Sequence, residues 1–286
     1  MIPGLDVHAG YGRVNWKLVA AAGYRFTYCK GPEGNEPMKD DLTWRRNVDE
    51  AQANGLAAGV YMVPWYLPYG AGKPAGRHPV EQAERFHKRL GGFGSEIGTL
   101  PPAIDIEWPP PEKWAEWGCT APQISAWLRD HCEAVEHLWG RSPLLYLYPH
   151  HWRELARGAD VSWARRYDVW WADYGWPGEG APPDGWTPPH WSWQSTWEDW
   201  VICQHSAQGS SVRVPGIPAC PVDRNVIRDE HTLERLRGFA RLGPDDDTLP
   251  EIRIGPQPIV TVLPDTLLPC RFCGLQSCDG TCQTAA

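Results

Sequence analysis

The sequence predicts an α/β protein built as a barrel of parallel strands with an irregular second half. Three observations lead to this fold class. Short β-rich segments alternate with helical segments, and glycines mark the turns between them, which is the pattern of βαβ units around a parallel sheet. Acidic residues stand where the predicted strands end, where such barrels carry their catalytic groups. Beyond Tyr146 strands outnumber helices, so a regular eightfold repeat is not expected.

The elements follow one another from the N-terminus in the order strand, helix, strand. Gly23 and Gly55 close helices, and β-branched and aromatic residues fill the strands. A Pro/Gly/Trp-rich loop covers residues 175–189. The predicted strands are 2–8, 24–30, 57–63, 100–107, 143–148, 168–174, 200–205 and 222–227, and the predicted helices are 14–23, 44–54, 80–90, 122–139 and 232–241.

The segment 100–108 carries the most informative residues, two acids at the end of a short apolar run. Side chains alternate along a strand, so Asp105 and Glu107 are predicted to face the same way, with Cα atoms roughly 6.5 Å apart. Carboxylates this close repel each other, which raises the pKa of at least one of them. An enzyme that needs a protonated acid near neutral pH uses such crowding, although two solvated surface acids would show the same spacing.

Further charged residues follow other predicted strand ends. Asp6 closes the first strand, and Lys30 and Glu33 lie at or just past the end of the second. In a parallel barrel these ends meet around one opening. Lys30 and Glu33 would either contact a substrate or form an ion pair at the rim, and we favour the ion pair.

Short motifs occur in a fixed order over residues 2 to 240. They are Gly4-Leu5-Asp6-Val7, Lys30 with Glu33-Gly34, Asn47 with Ala51, Gly55, Gly59-Val60-Tyr61, Pro102-Ala103-Ile104-Asp105-Ile106-Glu107, Trp170-Trp171-Ala172-Asp173-Tyr174, Gln204, and Val222-Asp223-Arg224-Asn225. Each motif alone is weak. In this order they resemble family 25 of the glycoside hydrolases, which contains the muramidases called Chalaropsis-type lysozymes.

This resemblance implies an irregular (β/α)5(β)3 barrel that hydrolyses the β-1,4 bond between N-acetylmuramic acid and N-acetylglucosamine in peptidoglycan, with no cofactor for catalysis. Glu107 matches the family's general acid. Asp105 matches the acid that orients or activates the substrate's acetamido group, or a water. Asp6 and Asp223 match two further acids that line the groove. The list of expected substrate contacts is Tyr61, Gln204, Trp65, Trp108, Tyr174 and Lys30.

The chemistry of glycosidic bond cleavage supports these roles independently. It needs an acid that protonates the leaving oxygen and negative charge that favours an oxocarbenium-like transition state. Three carboxylates near Glu107 are predicted to raise its pKa and to keep it protonated. Whether a water or the substrate's own acetamide completes the reaction stays open from the residues alone.

Several residues depart from the family pattern. Met62 stands where members carry His, Cys203 and His205 stand where Trp and Tyr are usual, and His8 replaces a common Ser. We expect these changes near the groove wall, where they bear on substrate fit more than on acid chemistry. They also leave an alternative open, a non-catalytic glycan-binding or structural component of a phage tail or similar particle.

Tryptophan is unusually abundant, at 18 of 286 residues. Aromatic faces that stack on sugar rings are the functional interpretation, with Trp108 and Tyr174 favoured, whereas packing of a Pro-rich loop is the stronger expectation for any one Trp. His150-His151 lacks metal-binding partners and is predicted to be a solvated or hydrogen-bonded pair. The aromatic residues after strand ends are Trp65, Tyr66, Trp108, Trp114, Trp117, Tyr174 and Trp176, while Trp191, Trp193, Trp197 and Trp200 are expected to pack the last strands.

The chain divides into three predicted parts, a muramidase-like barrel over 1–242, a Pro-rich linker or arm over 243–269 and a four-cysteine tail over 270–286. The tail spacing C-x2-C-x4-C-x3-C suits a tetrahedral all-thiolate zinc site. Two local disulfides or an iron–sulfur cluster are the alternatives, and we favour structural zinc. The four ligands would be Cys270, Cys273, Cys278 and Cys282. The other five cysteines are predicted to be buried thiols, although a Cys203–Cys220 bridge is conceivable.

The cellular setting is predicted from cysteine usage and from the N-terminal sequence. Nine cysteines, an odd number, favour synthesis in a reducing compartment, and no secretory signal precedes the first strand. A cell-wall hydrolase of this kind is expected to be made in the cytoplasm as a phage endolysin or as a virion tail-associated lysin whose tail binds other phage tail proteins. A secreted bacterial or fungal enzyme is the alternative, which tail disulfides would favour.

Composition argues against several classes of partner. No segment approaches the roughly 20 apolar residues that a membrane span needs. The formal net charge is −8 and no basic patch stands out, which argues against nucleic acid and against simple electrostatic adhesion to an anionic wall. The family resemblance implies peptidoglycan glycan strands as the partner.

Overall fold

Eight β-strands form a closed barrel with α-helices around it in the computed structural model, which describes residues 1–34, 39–66, 78–178, 180–206, 212–218 and 221–238. The strands are β1 (Ile2–Val7), β2 (Phe26–Glu33), β3 (Lys39–Asp40), β4 (Ala57–Val63), β5 (Ala103–Asp105), β6 (Leu144–Leu147), β7 (Val169–Ala172), β8 (Ile202–Ser206) and β9 (Asp223–Ile227). The helices are α1 (Trp16–Ala21), α2 (Trp44–Ala53), α3 (Pro79–Leu90), α4 (Ala121–Trp139), α5 (Pro149–Gly158) and α6 (Glu230–Leu236).

The barrel closes because β1 pairs with both β2 and β9. Neighbouring strands from β1 to β8 are parallel, whereas β9 runs antiparallel to β8 and β1. The two-residue β3 adds a short hairpin to β2 outside the ring. Asp6 and Asp223 are partners in the β1–β9 ladder, so the start of β9 lies at the same barrel end as the carboxyl ends of the other strands.

A helix follows each of β1, β2, β4, β5 and β6. The described residues between β7 and β9 contain no α-helix, only a short 3₁₀ turn at Trp191–Trp193. The predicted α/β barrel with an irregular second half is therefore confirmed. In α6, Leu233 and Leu236 are buried in the same cluster as the barrel interior, and they cover the end opposite to the carboxyl ends of the strands.

Two local features differ from the sequence prediction. Helix α5 was not predicted, although Pro149 is well tolerated at its first position, where a missing N–H has no intrahelical acceptor. Its buried face includes His151 and Trp152. Strand β5 ends at Asp105, so Glu107 lies two residues beyond the strand instead of inside it.

The two faces of the strands fill separate apolar layers. Leu5 and other outward residues pack against the helices, whereas Phe26 and Tyr28 belong to the cluster inside the barrel. Glycines make room for these two rings: a Cβ at Gly4 would lie 2.3 Å from the Phe26 ring, and a Cβ at Gly59 would lie 2.4 Å from the Tyr28 ring. Aromatic rings thus occupy the lower barrel, and open space remains towards the carboxyl ends of the strands.

Four of the scattered cysteines are buried free thiols, as predicted: Cys29, Cys119, Cys132 and Cys203. The fifth, Cys220, lies outside the described residues, as do the predicted linker 243–269 and the four-cysteine tail 270–286. No helix within the described ranges has the length and apolar character needed to cross a membrane.

Candidate active site

A cavity of about 290 Å³ opens at the carboxyl ends of the barrel strands. It contains seven of the ten residues predicted for catalysis or substrate contact. The three others, Trp65, Trp108 and Lys30, do not line it. The lining residues are Asp6, Tyr61, Asp105, Glu107, Tyr146, Trp170, Tyr174, Gln204 and Asp223.

Asp6 is nearly buried on β1, at 6% exposure. Its Oδ1 accepts hydrogen bonds from Gln204 Nε2 at 2.8 Å and from Asn225 Nδ2 at 2.7 Å. Burial raises the pKa of Asp6 well above its ordinary value, the Asp223 charge raises it further, and the two amide hydrogen bonds act in the opposite direction. The amides therefore hold the carboxyl group in a fixed orientation without restoring its usual acidity.

Asp105 and Glu107 form an acid pair with high proton affinity. Burial is the first cause that raises the pKa of Asp105, the Glu107 charge is the second, and Lys30 opposes both. Burial also raises the pKa of Glu107, with Asp223 adding to it and Lys30 again opposing. The pKa of Glu107 is thus raised, as predicted, but the leading cause is desolvation and not the crowding of carboxylates. Asp105 Oδ1 is buried and accepts no hydrogen bond from the described residues.

Asp223 enters the cavity from the first position of β9. Its Oδ2 accepts a hydrogen bond from the Tyr11 hydroxyl at 2.6 Å. Burial raises the pKa of Asp223, while the Tyr11 hydrogen bond and the nearby His8 lower it. Asp223 is therefore oriented by a neutral donor and stays available to interact with Asp6 and Glu107 across the cavity.

Gln204 connects the acids to two tyrosines. Its Oε1 accepts from the Tyr146 hydroxyl at 2.9 Å and from the Tyr174 hydroxyl at 2.8 Å. Because both lone pairs of Oε1 are in use, the amide nitrogen is directed towards Asp6. Gln204 therefore lies in the cavity wall, as predicted, and it forms three hydrogen bonds to other side chains of the protein.

Trp170 forms the floor of the cavity beneath these residues. Its ring centroid lies 4.9 Å from the rings of Tyr28 and Tyr146 and 6.4 Å from Tyr61. Its Nε1 donates to Asn225 Oδ1 at 2.8 Å, and this amide in turn donates to Asp6. The indole thus separates the packed lower barrel from the polar cavity.

Comparison with known proteins agrees with this geometry. A sequence model of the glycosyl hydrolases family 25 matches residues 5–214. The chain belongs to this family. It is therefore a glycoside hydrolase, and the family resemblance predicted from the motifs is confirmed.

Individual relatives support the same assignment. The chain is 29% identical to lysozyme M1 of Streptomyces globisporus over 224 residues, covering 78% of this chain and 67% of that protein. It is 26% identical over 207 residues to the N,O-diacetylmuramidase of Chalaropsis, covering 69% and 87%. The crystal structure of the lysozyme from Streptomyces coelicolor superposes with a TM-score of 0.63 at 26% identity, covering 84% of this chain and 96% of that one.

The departures from the family 25 pattern lie mostly away from the cavity. Met62 and Cys203 are completely buried in the layer between barrel and helices, because their neighbours Tyr61 and Gln204 take the inward positions. His205 is buried at 2% exposure and does not line the cavity either. The expectation that these three residues shape the groove wall is wrong.

The predicted aromatic wall is partly engaged within the protein. Trp108 stacks on Trp65 with ring centroids 4.8 Å apart and planes tilted by 11°, and it lies parallel to Trp117 at 6.0 Å. Trp114 donates its Nε1 to Pro109 O at 2.8 Å. Tyr174, the other favoured sugar contact, does line the cavity and is 53% exposed. Tyr174 is therefore the better placed of the two favoured rings.

Two further predictions concern charged or polar pairs. Lys30 Nζ contacts Glu33 Oε1 at 2.6 Å, so the favoured ion pair is confirmed. His151 is buried and its Nε2 lies 3.2 Å from Pro109 O, whereas His150 is exposed, which agrees with a hydrogen-bonded and solvated pair.

Sequence reasoning missed four residues that build the site: Tyr11, Tyr146, Trp170 and Asn225. For Tyr146 and Trp170 a signal was present, since both occupy inward positions of predicted strands close to their carboxyl ends. Tyr11 ends a short 3₁₀ helix after β1 (Ala9–Tyr11), and only the folded chain brings it to Asp223.

Proposed function

We propose that the chain is an N-acetylmuramidase that hydrolyses the β-1,4 bond between N-acetylmuramic acid and N-acetylglucosamine in peptidoglycan. The observation that carries this proposal is the set of four acids, Asp6, Asp105, Glu107 and Asp223, around one cavity of a family 25 barrel. Relatives named as lysozyme and N,O-diacetylmuramidase support the substrate class.

Glu107 is proposed as the general acid. Burial raises the pKa of its carboxyl group, so that a proton remains available for the leaving glycosidic oxygen near neutral pH. Asp105 Oδ1 is buried and has no hydrogen-bond donor among the described residues. This oxygen would accept a hydrogen bond from the N–H of the substrate's acetamido group, or a proton from an attacking water. Asp6 and Asp223 supply negative charge or hydrogen bonds as positive charge develops on the sugar ring.

Release of reducing ends from purified peptidoglycan tests this function. Glu107→Gln keeps the shape of the side chain and removes the proton that catalysis needs, so kcat is expected to fall by about 10³-fold. Glu112→Gln, an exposed acid five residues further along, serves as the matched control and should retain full activity. Equal activity of wild type and Glu107→Gln would contradict the assignment of the acid. No release by wild type from several wall types would favour the non-catalytic glycan-binding alternative.

The finer architecture is proposed as five β/α units followed by three strands. Helices after β1, β2, β4, β5 and β6, and none in the described residues between β7 and β9, support this connectivity.

We further propose that the four tail cysteines, Cys270, Cys273, Cys278 and Cys282, bind one structural zinc ion. Their spacing and the four buried thiols elsewhere in the chain support a reduced protein. Elemental analysis of the purified full chain should give about one zinc per chain, which replacement of all four cysteines by Ser should abolish. Two disulfides in the tail, detected by mass spectrometry, would contradict the zinc proposal.

The biological setting is proposed as that of a phage lysin, released from the infected cell or attached to the virion tail. Buried free thiols at Cys29, Cys119, Cys132 and Cys203 suit synthesis in a reducing compartment. An antibody against the chain should detect it in purified virions if it is attached to tails, and only in lysates if it is released. Recovery from the medium of uninfected cells would contradict both versions.

A further inference from the structure

A bulge in β2 places two opposite charges on the inner face of the barrel, at the end where Asp105 and Glu107 lie. Lys30 and Glu33 are three residues apart, a spacing that puts side chains on opposite faces of a regular strand. Lys30 pairs with Tyr61 and Glu33 pairs with Val63, so β2 uses three steps where β4 uses two. The extra residue reverses the alternation. The side chains of both charged residues therefore lie on the same face of the sheet as their partners Tyr61 and Val63. This is the inner face of the barrel.

The ion pair that results is short and largely shielded from water. Lys30 Nζ and Glu33 Oε1 are 2.6 Å apart, and the side chains are 27% and 21% exposed. The bulged chain packs closely against its neighbours at two glycines: a Cβ at Gly31 would lie 2.6 Å from Val60 Cγ1, and a Cβ at Gly34 would lie 2.2 Å from Gln82 Oε1. Charges held in a partly buried place interact more strongly and are screened less by salt than surface charges.

The groups that act on Glu107 and Asp105 come from every side of the cavity. The carboxylates are Asp6, Asp223 and Glu33. The tyrosines whose pKa values these acids raise in turn are Tyr61, Tyr146, Tyr148 and Tyr174. Lys30 is the cation among them, and it lowers the pKa of both Glu107 and Asp105, whereas Glu33 raises the pKa of Asp105. The two members of the ion pair therefore act in opposite directions on the acids.

Building on the proposed muramidase activity, we propose that the Lys30–Glu33 pair held by the β2 bulge sets the pH range in which Glu107 and Asp105 work. Lys30 favours loss of their protons, and Glu33 limits this effect by neutralising Lys30. Both are positioning residues that act through the acids. This differs from the sequence expectation that Lys30 contacts the substrate.

The pH profile of kcat/KM on soluble peptidoglycan fragments tests this proposal. Removing the cation in Lys30→Met should move both limbs of the profile to higher pH, because Glu107 and Asp105 then keep their protons longer. Glu33→Gln leaves Lys30 uncompensated and should move both limbs to lower pH. Shifts of about half a pH unit or more are expected for partly buried charges at the same end of the barrel as the acids. The double variant removes both charges and should return close to the wild-type profile.

A matched control is present on the surface. Lys113 and Glu116 form an exposed pair with the same spacing in sequence and a contact of 2.7 Å. Lys113→Met and Glu116→Gln should leave the profile in place, because water and salt screen exposed charges.

Other outcomes would overturn the proposal. Profile limbs of Lys30→Met that stay in place while KM rises would assign Lys30 to substrate binding. If the pH profiles of Lys30→Met and Glu33→Gln shifted in the same direction, Lys30 and Glu33 would not act in opposite directions on the acids. If wild type releases no reducing ends, the muramidase function fails, and carboxyl titration followed by ¹³C NMR still decides the matter. Glu107 and Asp105 should titrate higher in Lys30→Met and lower in Glu33→Gln, and unchanged titration would refute the proposal.

Discussion

Gln204→Leu is expected to destabilise the barrel strongly, because it removes the residue that joins Asp6 to two tyrosines. The substitution keeps a similar volume and deletes three hydrogen bonds of 2.8 to 2.9 Å. Loss of the bond to Asp6 costs about 1.5 kcal/mol, at the upper end of the net value of a hydrogen bond, because both partners are buried. The buried Tyr146 hydroxyl loses its acceptor at a cost of about 1–2 kcal/mol, whereas the half-exposed Tyr174 recovers a bond to water.

The sum is a loss of about 3 kcal/mol in the free energy of unfolding. Urea unfolding followed by tryptophan fluorescence and by far-UV circular dichroism measures it, and agreement of the two curves checks two-state behaviour. Tyr146→Phe is the companion variant. It should cost only about 1 kcal/mol, because Gln204 Oε1 keeps the bond from Tyr174. A loss below about 1 kcal/mol for Gln204→Leu, or equal losses for both variants, would refute the role of Gln204 as the joining residue.

Two further changes follow from burial and packing. Asp105→Asn should raise the free energy of unfolding at pH 7 while lowering activity about 100-fold, because burial and Glu107 raise the pKa of Asp105 in the folded protein. Between the ordinary pKa of Asp and the raised pKa of Asp105, the folded protein holds a proton that the unfolded chain has lost. The stability of the wild type therefore falls as the pH rises through this range. The stability gained by Asp105→Asn should vanish below about pH 4, as measured by urea unfolding. An equal gain at pH 7 and below pH 4 would show that the raised pKa of Asp105 is not its cause. Gly59→Ala should cost about 1–3 kcal/mol, because its Cβ would lie 2.4 Å from the Tyr28 ring and 2.9 Å from Leu100 Cβ. Gly180→Ala, with nothing within 4 Å, should leave the melting temperature unchanged, and equal effects of the two alanines would contradict the packing argument.

The sequence predicts the position of three of the four candidate acids, because one simple rule applies to the ends of parallel strands. Asp6 and Asp105 close strands of a parallel barrel, and the carboxyl ends of such strands meet at one opening. Glu107 reaches the same cavity from the loop after β5, so its strand assignment was wrong although its location was right. Asp223 begins an antiparallel strand, and its role came from the family resemblance and not from the strand-end rule.

The errors have physical causes that a single sequence hides. Met62 was expected at the groove because it follows Tyr61, but alternation along β4 sends the two side chains to opposite faces. The cause of the raised pKa of Glu107 was assigned to neighbouring carboxylates, whereas burial leads, and burial depends on residues distant in sequence. The stacking of Trp108 on Trp65 is a tertiary contact that no local pattern reveals, and the sugar contact expected of Trp108 stays a prediction.

The pairing of β1 with β9 completes the candidate active site from segments at the two ends of the described barrel. Asn225 reaches Asp6 across 219 positions of sequence, and Asp6 faces Asp223 only when this seam is closed. Bringing such distant residues together costs the folding chain conformational entropy, which grows with their separation in sequence. A chain still emerging from the ribosome therefore carries three of the four acids without the fourth. Hydrolytic activity would then report completion of the barrel, with no partly built form that already cuts glycan.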